Sequence, residues 1–177
     1  MTAYQVISPS QSVRLAERVA PADRSFTRRL VGDQGELDDV PDLVWRWPLA
    51  GAAEDWVGTA DMTRLVSPLV RRVLEGALGG QDAIQWLPAT VVMPEGERLE
   101  YWVMHFPVWH DVLHLSASTW GPSGLPIRWV LDHSKLEGHQ VFIVPELNDI
   151  TIVTGDVLAS LRAAGATGIA AEAARIV

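Results

Sequence analysis

Apolar residues recur with a helical period most clearly between Pro68 and Leu78, where Leu69, Val70, Val73, Leu74, Ala77 and Leu78 share one face. Ser67 suits the N-cap and Pro68 the first helical position, and Gly79–Gly80 is expected to stop the helix by accepting a left-handed backbone. A second helix is predicted over 155–165. Thr154 caps it, Asp156 stands near its positive end, Val157, Leu158, Leu161 and Ala164 form its buried face, and Gly165 stops it. A short helix is also expected over 11–20, ended by Pro21.

Strand patterns fill most of the remainder. Residues 84–92 and 99–106 form two strands whose intervening Pro94-Glu95-Gly96 suits a hairpin, and Pro88 forces an edge position or a break in the first. Both faces of 99–106 carry large apolar groups, which places it centrally in a sheet. Residues 127–131, 140–144 and 149–153 read as further strands, and the tail from Thr167 leans to a last strand. Residues 21–60 hold no sustained period and are expected to be mostly irregular, with a short strand at 43–47. Strands and helices do not alternate regularly. The fold class predicted is therefore α+β, a mostly antiparallel or mixed sheet with two helices in a single domain. Residues 1–59 are expected to form an irregular segment packed on a domain spanning 60–177.

Composition narrows the function. The chain of 177 residues has no cysteine, which excludes disulfides and thiolate metal sites. Its start lacks the basic and apolar regions of a secretory signal, and no apolar run approaches the ~20 residues a membrane span needs. A cytoplasmic location and no membrane partner are expected. The net charge of −8 argues against nucleic acid as a partner, because phosphate contacts need a basic surface. The charge is unevenly placed: eight acids between 31 and 61 face Arg46 alone. Such a block is either a solvated loop or a docking surface for a basic partner.

Candidate chemistry is sparse. His110-Asp111-Val112-Leu113-His114 spaces two histidines by four, as zinc-binding helices do, but Asp stands where the hydrolase pattern has Glu. A third ligand would have to come from His105, His133 or His139, none at a diagnostic spacing. No serine lies in a nucleophile-elbow frame and no glycine-rich phosphate loop is present. The expectation is no enzyme, no metal and no cofactor. The outstanding feature is eight tryptophans, three of them (Trp45, Trp47 and Trp56) within the acidic region. Tryptophan anchors protein interfaces, and it equally covers sheets from within.

The C-terminal half adds a resemblance. Leu131, Asp132, Lys135, Leu136, Gly138, His139 and Phe142 follow one another as "Leu-Asp…Lys-Leu…Gly-His…Phe". An Ile-Val-Thr segment then opens a helix, and Thr167–Gly168 closes the pattern. Together with the helix after Val66–Ser67, this order resembles bacterial immunity-protein family eleven, formerly a domain of unknown function, over roughly residues 60–170. The tail departs from it, with Ala170–Ala174 largely alanine where an aromatic strand is expected. The resemblance implies a stoichiometric inhibitor of a polymorphic toxin used in bacterial competition, and no catalytic residues. Asp38, Asp39, Asp42, Trp45 and Trp47 are the expected toxin-binding residues, facing a toxin that charge suggests is basic. Two other readings remain open: a module binding a small ligand or peptide in a Trp-lined pocket, and a zinc hydrolase using His110 and His114.

Overall fold

A computed structural model describes residues 3–10, 15–21 and 23–177, the side chains of Asn148 and Asp149 excepted. The architecture is α+β, with two main sheets. A four-stranded antiparallel sheet is built from β1 (Tyr4–Pro9), β10 (Val141–Val144), β11 (Leu147–Thr154) and β12 (Ile169–Ala173), in the order β10-β11-β1-β12. A six-stranded mixed sheet is built from β2 (Glu17–Ala20), β3 (Val44–Arg46), β4 (Trp56–Val57), β5 (Leu65–Val66), β6 (Gln85–Val92) and β7 (Arg98–His105), in the order β2-β3-β6-β7-β5-β4. Among the described strand pairs of this sheet, β3 with β6 is the parallel one. A small hairpin, β8 (Thr119–Trp120) with β9 (Pro126–Arg128), stands apart from both sheets.

The core follows from side-chain alternation. Along β7, Tyr101 and Val103 join one buried cluster while Met104 joins another, so both faces of this central strand are covered. One face meets Trp45, Trp47, Leu37 and Leu43, together with Leu30 of α1 (Arg24–Gly32). The other meets Val70 and Leu74 of α2 (Pro68–Ala77) and Val157, Leu158 and Leu161 of α3 (Gly155–Ala163). The same cluster takes Ile7, Val141, Ile143 and Val153 from the four-stranded sheet, whose opposite face buries Tyr4, Phe142, Val144 and Ile152 with Leu113, Leu131 and Leu136.

The predicted helices α2 and α3 form with their predicted caps: Ser67 Oγ accepts from Val70 N and Thr154 Oγ1 from Val157 N. Gly165 adopts φ 76° at the stop of α3. The stop of α2 differs from expectation, because Gly79 and Gly80 do not take positive φ and Leu78 leaves the helix in extended backbone. Gly79 serves a close approach instead: a Cβ there would lie 2.0 Å from the carbonyl oxygen of Gly138. Pro88 is accommodated because β3 reaches β6 only at Thr90–Val92, leaving Pro88 with one neighbour strand, β7.

One expectation is overturned in the N-terminal third. Residues 17–20 are a strand, not a helix, since Arg18 pairs with Trp45 across the ladder; residues 11–14 lie outside the described residues. Residues 21–60 are mostly irregular, as expected, and β3 falls within the short strand expected at 43–47; α1 and β4 are the regular elements that the pattern does not announce. Residues 1–59, expected as a segment packed on the domain of 60–177, supply strands to both main sheets. β1 is an inner strand of one sheet between β11 and β12, and β3 joins β2 to β6 in the other. In the C-terminal half, the strand predicted over 127–131 ends at Arg128, where Val130 N turns to Ser118 Oγ.

Leu161 is fully buried in the shared core and Arg162 beside it is exposed. Leu161→Ala should cost about 2–5 kcal/mol in chemical denaturation. Arg162→Ala should change stability by less than about 0.5 kcal/mol, read in the same experiment.

Candidate functional site

Two carboxylates that accept hydrogen bonds from distant segments organise the chemistry-bearing region. Asp82 follows α2 in a short turn, and its side chain is fully buried. Its Oδ2 accepts from the backbone N–H groups of Gly79 (3.0 Å), Gln140 (2.6 Å) and Val141 (2.9 Å). Its Oδ1 lies 2.8 Å from Nδ1 of His139. A carboxylate only accepts, so His139 carries its proton on Nδ1. The His139 ring packs against His110, with centroids 4.2 Å apart. The Nε2 atom of His110 is buried without a hydrogen-bond partner among the described residues. Burial first, then the neighbouring His139, lowers the His110 pKa, with Asp82 opposing. One donor atom from each of Asp82, His110 and His139 lies within 4.8 Å of the others.

The histidine pair singled out by spacing is not assembled as a helical pair. Residues 110–114 form no helix, and His114 turns Nδ1 to accept from Ala117 N at 3.2 Å. His105 is buried with its two ring nitrogens 3.0 and 2.8 Å from the carbonyl oxygens of Leu30 and Gly35, and His133 is exposed. The partner of His110 is His139, twenty-nine positions along by residue number, and no local spacing rule reports such a pair.

The expected docking residues divide. Trp45 and Trp47 are completely buried in the core under the six-stranded sheet, so neither is a surface anchor. Their alternation with exposed Arg46 is the reason: strand β3 turns 43, 45 and 47 to one side. Asp38, Asp39 and Asp42 are exposed. They lie on an arc pinned at both ends by buried Leu37 and Leu43. At one end the Gln85 side-chain amide accepts from Leu37 N and donates to Leu37 O; at the other, Thr90 N donates to Leu43 O. Within the arc Asp39 takes a left-handed backbone, φ 51°, which Asp tolerates better than most residues. Asp42 and Glu100 border an open cleft of about 720 Å³ beside Pro41, Pro88 and Thr90.

A surface feature that sequence patterning missed is the β8–β9 hairpin. Leu115, Leu125 and Ile127 are 66%, 57% and 73% exposed. Trp120 donates its indole N–H to Leu115 O, which ties the backbone at Leu115 to the hairpin. Gly121-Pro122-Ser123-Gly124 reads as a turn and 127–131 as a strand, and neither reading separates the outward side chains from the inward ones.

Asp55 is the second organising carboxylate. It accepts from Ser67 Oγ (2.7 Å), Thr167 N (2.9 Å) and Thr167 Oγ1 (2.8 Å), tying the start of α2 to the Thr167–Gly168 turn. Burial raises its pKa, but the hydrogen bonds from Ser67 and Thr167 outweigh it, and the net direction is down.

A depressed carboxylate pKa contributes stability that is present above the unfolded value and lost as pH falls through the folded one. Asp55→Asn should therefore lower the melting temperature at neutral pH and flatten its decline below about pH 4. Gly79→Ala should destabilise clearly because the obstructing atom is backbone, whereas Gly80→Ala, with open space around it, should be nearly neutral. Thermal melts across pH 2.5–7 read the first effect, and urea unfolding the second.

Among known proteins, no family model matches the chain, and no curated protein matches it either.

Proposed function

We propose that this chain is an immunity-type protein that neutralises a cognate bacterial toxin by stoichiometric binding, without chemistry of its own. The observation that carries the reading is the pinned acidic arc, where Asp38, Asp39 and Asp42 stand exposed between two buried leucines. Carboxylates held in fixed positions attract a basic protein surface at long range and orient it on arrival. The order of residues from Leu131 to Phe142, with the Thr167–Gly168 close, supports the immunity reading through its resemblance to that family.

Burial of Trp45 and Trp47 moves the anchoring role elsewhere. Leu115, Leu125 and Ile127 are the exposed apolar groups suited to it, because side chains already in water gain by desolvation against a partner. Among the described residues no helix is long and apolar enough to cross a membrane. The reading places the protein in the cytoplasm of the producing cell, where its toxin would otherwise act.

The test is co-expression with the toxin encoded beside it, followed by stopped-flow binding of the purified pair. Protection of growth and a 1:1 complex are expected. Replacing Asp38, Asp39 and Asp42 together by Asn should slow association ~10-fold or more at low salt and weaken its salt dependence. Ile127→Asp should chiefly accelerate dissociation. All four positions are exposed, so melting temperatures should stay near the parent's. Failure to protect against that toxin would sink the immunity reading, and unchanged kinetics in both variants would remove these surfaces from the interface.

A further inference from the structure

We propose that Asp82, His110 and His139 form a binding site for a divalent metal ion of the zinc class, with two nitrogen donors and one oxygen donor. Three segments distant in sequence meet there: the turn after α2, the stretch following β7, and the entry to β10. The grouping is independent of the acidic arc and of the immunity reading.

The argument begins with what the carboxylate leaves free. Asp82 Oδ2 is saturated by three backbone N–H groups, which hold the carboxylate in one orientation. Oδ1 has only His139 Nδ1, and shares a proton with it. A site fixed by backbone donors before any ion arrives is what metal affinity requires of its outer contacts. His110 contributes the second observation. Its Nε2 is buried and makes no hydrogen bond among the described residues, which is a cost that an acceptor of its lone pair would remove.

Distances fit the ion. Donors no more than 4.8 Å apart lie within about 2.8 Å of a common centre, so an inward movement of about 0.7 Å brings them to zinc–nitrogen bond length. Imidazole and carboxylate together favour zinc and its first-row neighbours over calcium or magnesium, which take oxygen ligands. With three protein donors, a fourth position remains for water. The bound ion takes the place of the proton between His139 Nδ1 and Asp82 Oδ1, and that proton passes to Nε2 of the same ring, so His139 binds as its other neutral tautomer.

Such an ion would fasten the α2 turn to the edge of the four-stranded sheet. The chain, produced without a metal-affinity tag and stripped with chelator, is titrated with zinc chloride by calorimetry, and with cobalt chloride by visible absorption. One equivalent of zinc, a rise in melting temperature on adding it, and cobalt bands of a four-coordinate site are expected. Asp82→Ala is a poor probe, since it strands three N–H groups and can unfold the protein. His110→Ala removes a ring whose Nε2 has no partner, and should keep the melting temperature of the metal-free parent. It should weaken zinc by at least the ~10–100-fold that losing even an outer partner costs, and abolish the cobalt bands. The double variant His114→Ala, His133→Ala should bind as the parent does. Absence of saturable binding at micromolar zinc, binding unchanged in His110→Ala, or binding lost in the double variant would each overturn the site.

Discussion

The buried carboxylate of Asp82 decides how the two sheets meet. Strand β10 is the edge of the four-stranded sheet, and Val141 N points away from its partner β11. An unpaired edge N–H in the interior must find an acceptor, and Asp82 supplies one oxygen for Val141, Gln140 and Gly79 together. The close passage of Gly79 against the Gly138 carbonyl follows from the same geometry: the α2 turn has to approach within touching distance for the carboxylate to reach. With the end of α2 fixed there, its start is fixed by Asp55 through Ser67, and the helix is held at both ends between the sheets. The apolar face of α2 can then fill the shared core without rotating.

Most of the residues on which the proposed resemblance rests are parts of this scaffold. Leu131, Leu136 and Phe142 are buried, and Asp132 caps a short turn by accepting from Ser134 N. Gly138 takes φ 85° to present its carbonyl to Gly79, and His139 meets Asp82. Thr167 binds Asp55, while Gly168 has φ 75° and no room for a Cβ against the carbonyl oxygen of Trp56. A motif made of such contacts specifies a framework and leaves the partner-facing surface free to vary. In the proposed reading the variable part is the acidic arc, which lies outside the stretch that resembles the family.

Legibility in the sequence tracked how local each determinant was. The helices α2 and α3 and the β6–β7 hairpin declared themselves because cap, period and turn residues all lie within a few positions of one another. Helix α1 did not, since RSFTRRLVG buries only Thr27 and Leu30, and its stability comes from packing on β7 and β11 rather than from a strong apolar stripe. Strand β2 carries a helix-like sequence because its four residues alternate only between exposed and half-buried, and what makes them a strand is pairing with β3 far along the chain. The Asp82–His139 contact spans fifty-seven positions and leaves no trace in either residue's neighbourhood.

The tryptophans show how one sequence signal can be outvoted by a weaker-looking one. Leu43-Val44-Trp45-Arg46-Trp47 has the two-residue period of a half-buried strand, with the charge on the outward side, and that period alone sends both indoles inside. The surrounding acids argued for a solvated surface, and that is correct for the residues that carry them. Both statements hold because the chain changes role at Leu43: before it the backbone arcs through solvent between two pinned leucines, and after it the backbone enters the ladder beside β6. The two buried tryptophans pack in the same cluster as Leu37 and Leu43, the residues that pin the arc. A charged loop anchored on a large, desolvated aromatic pair holds its carboxylates in place at little further entropic cost, so in the proposed reading the residues that cannot touch a partner prepare the surface that would.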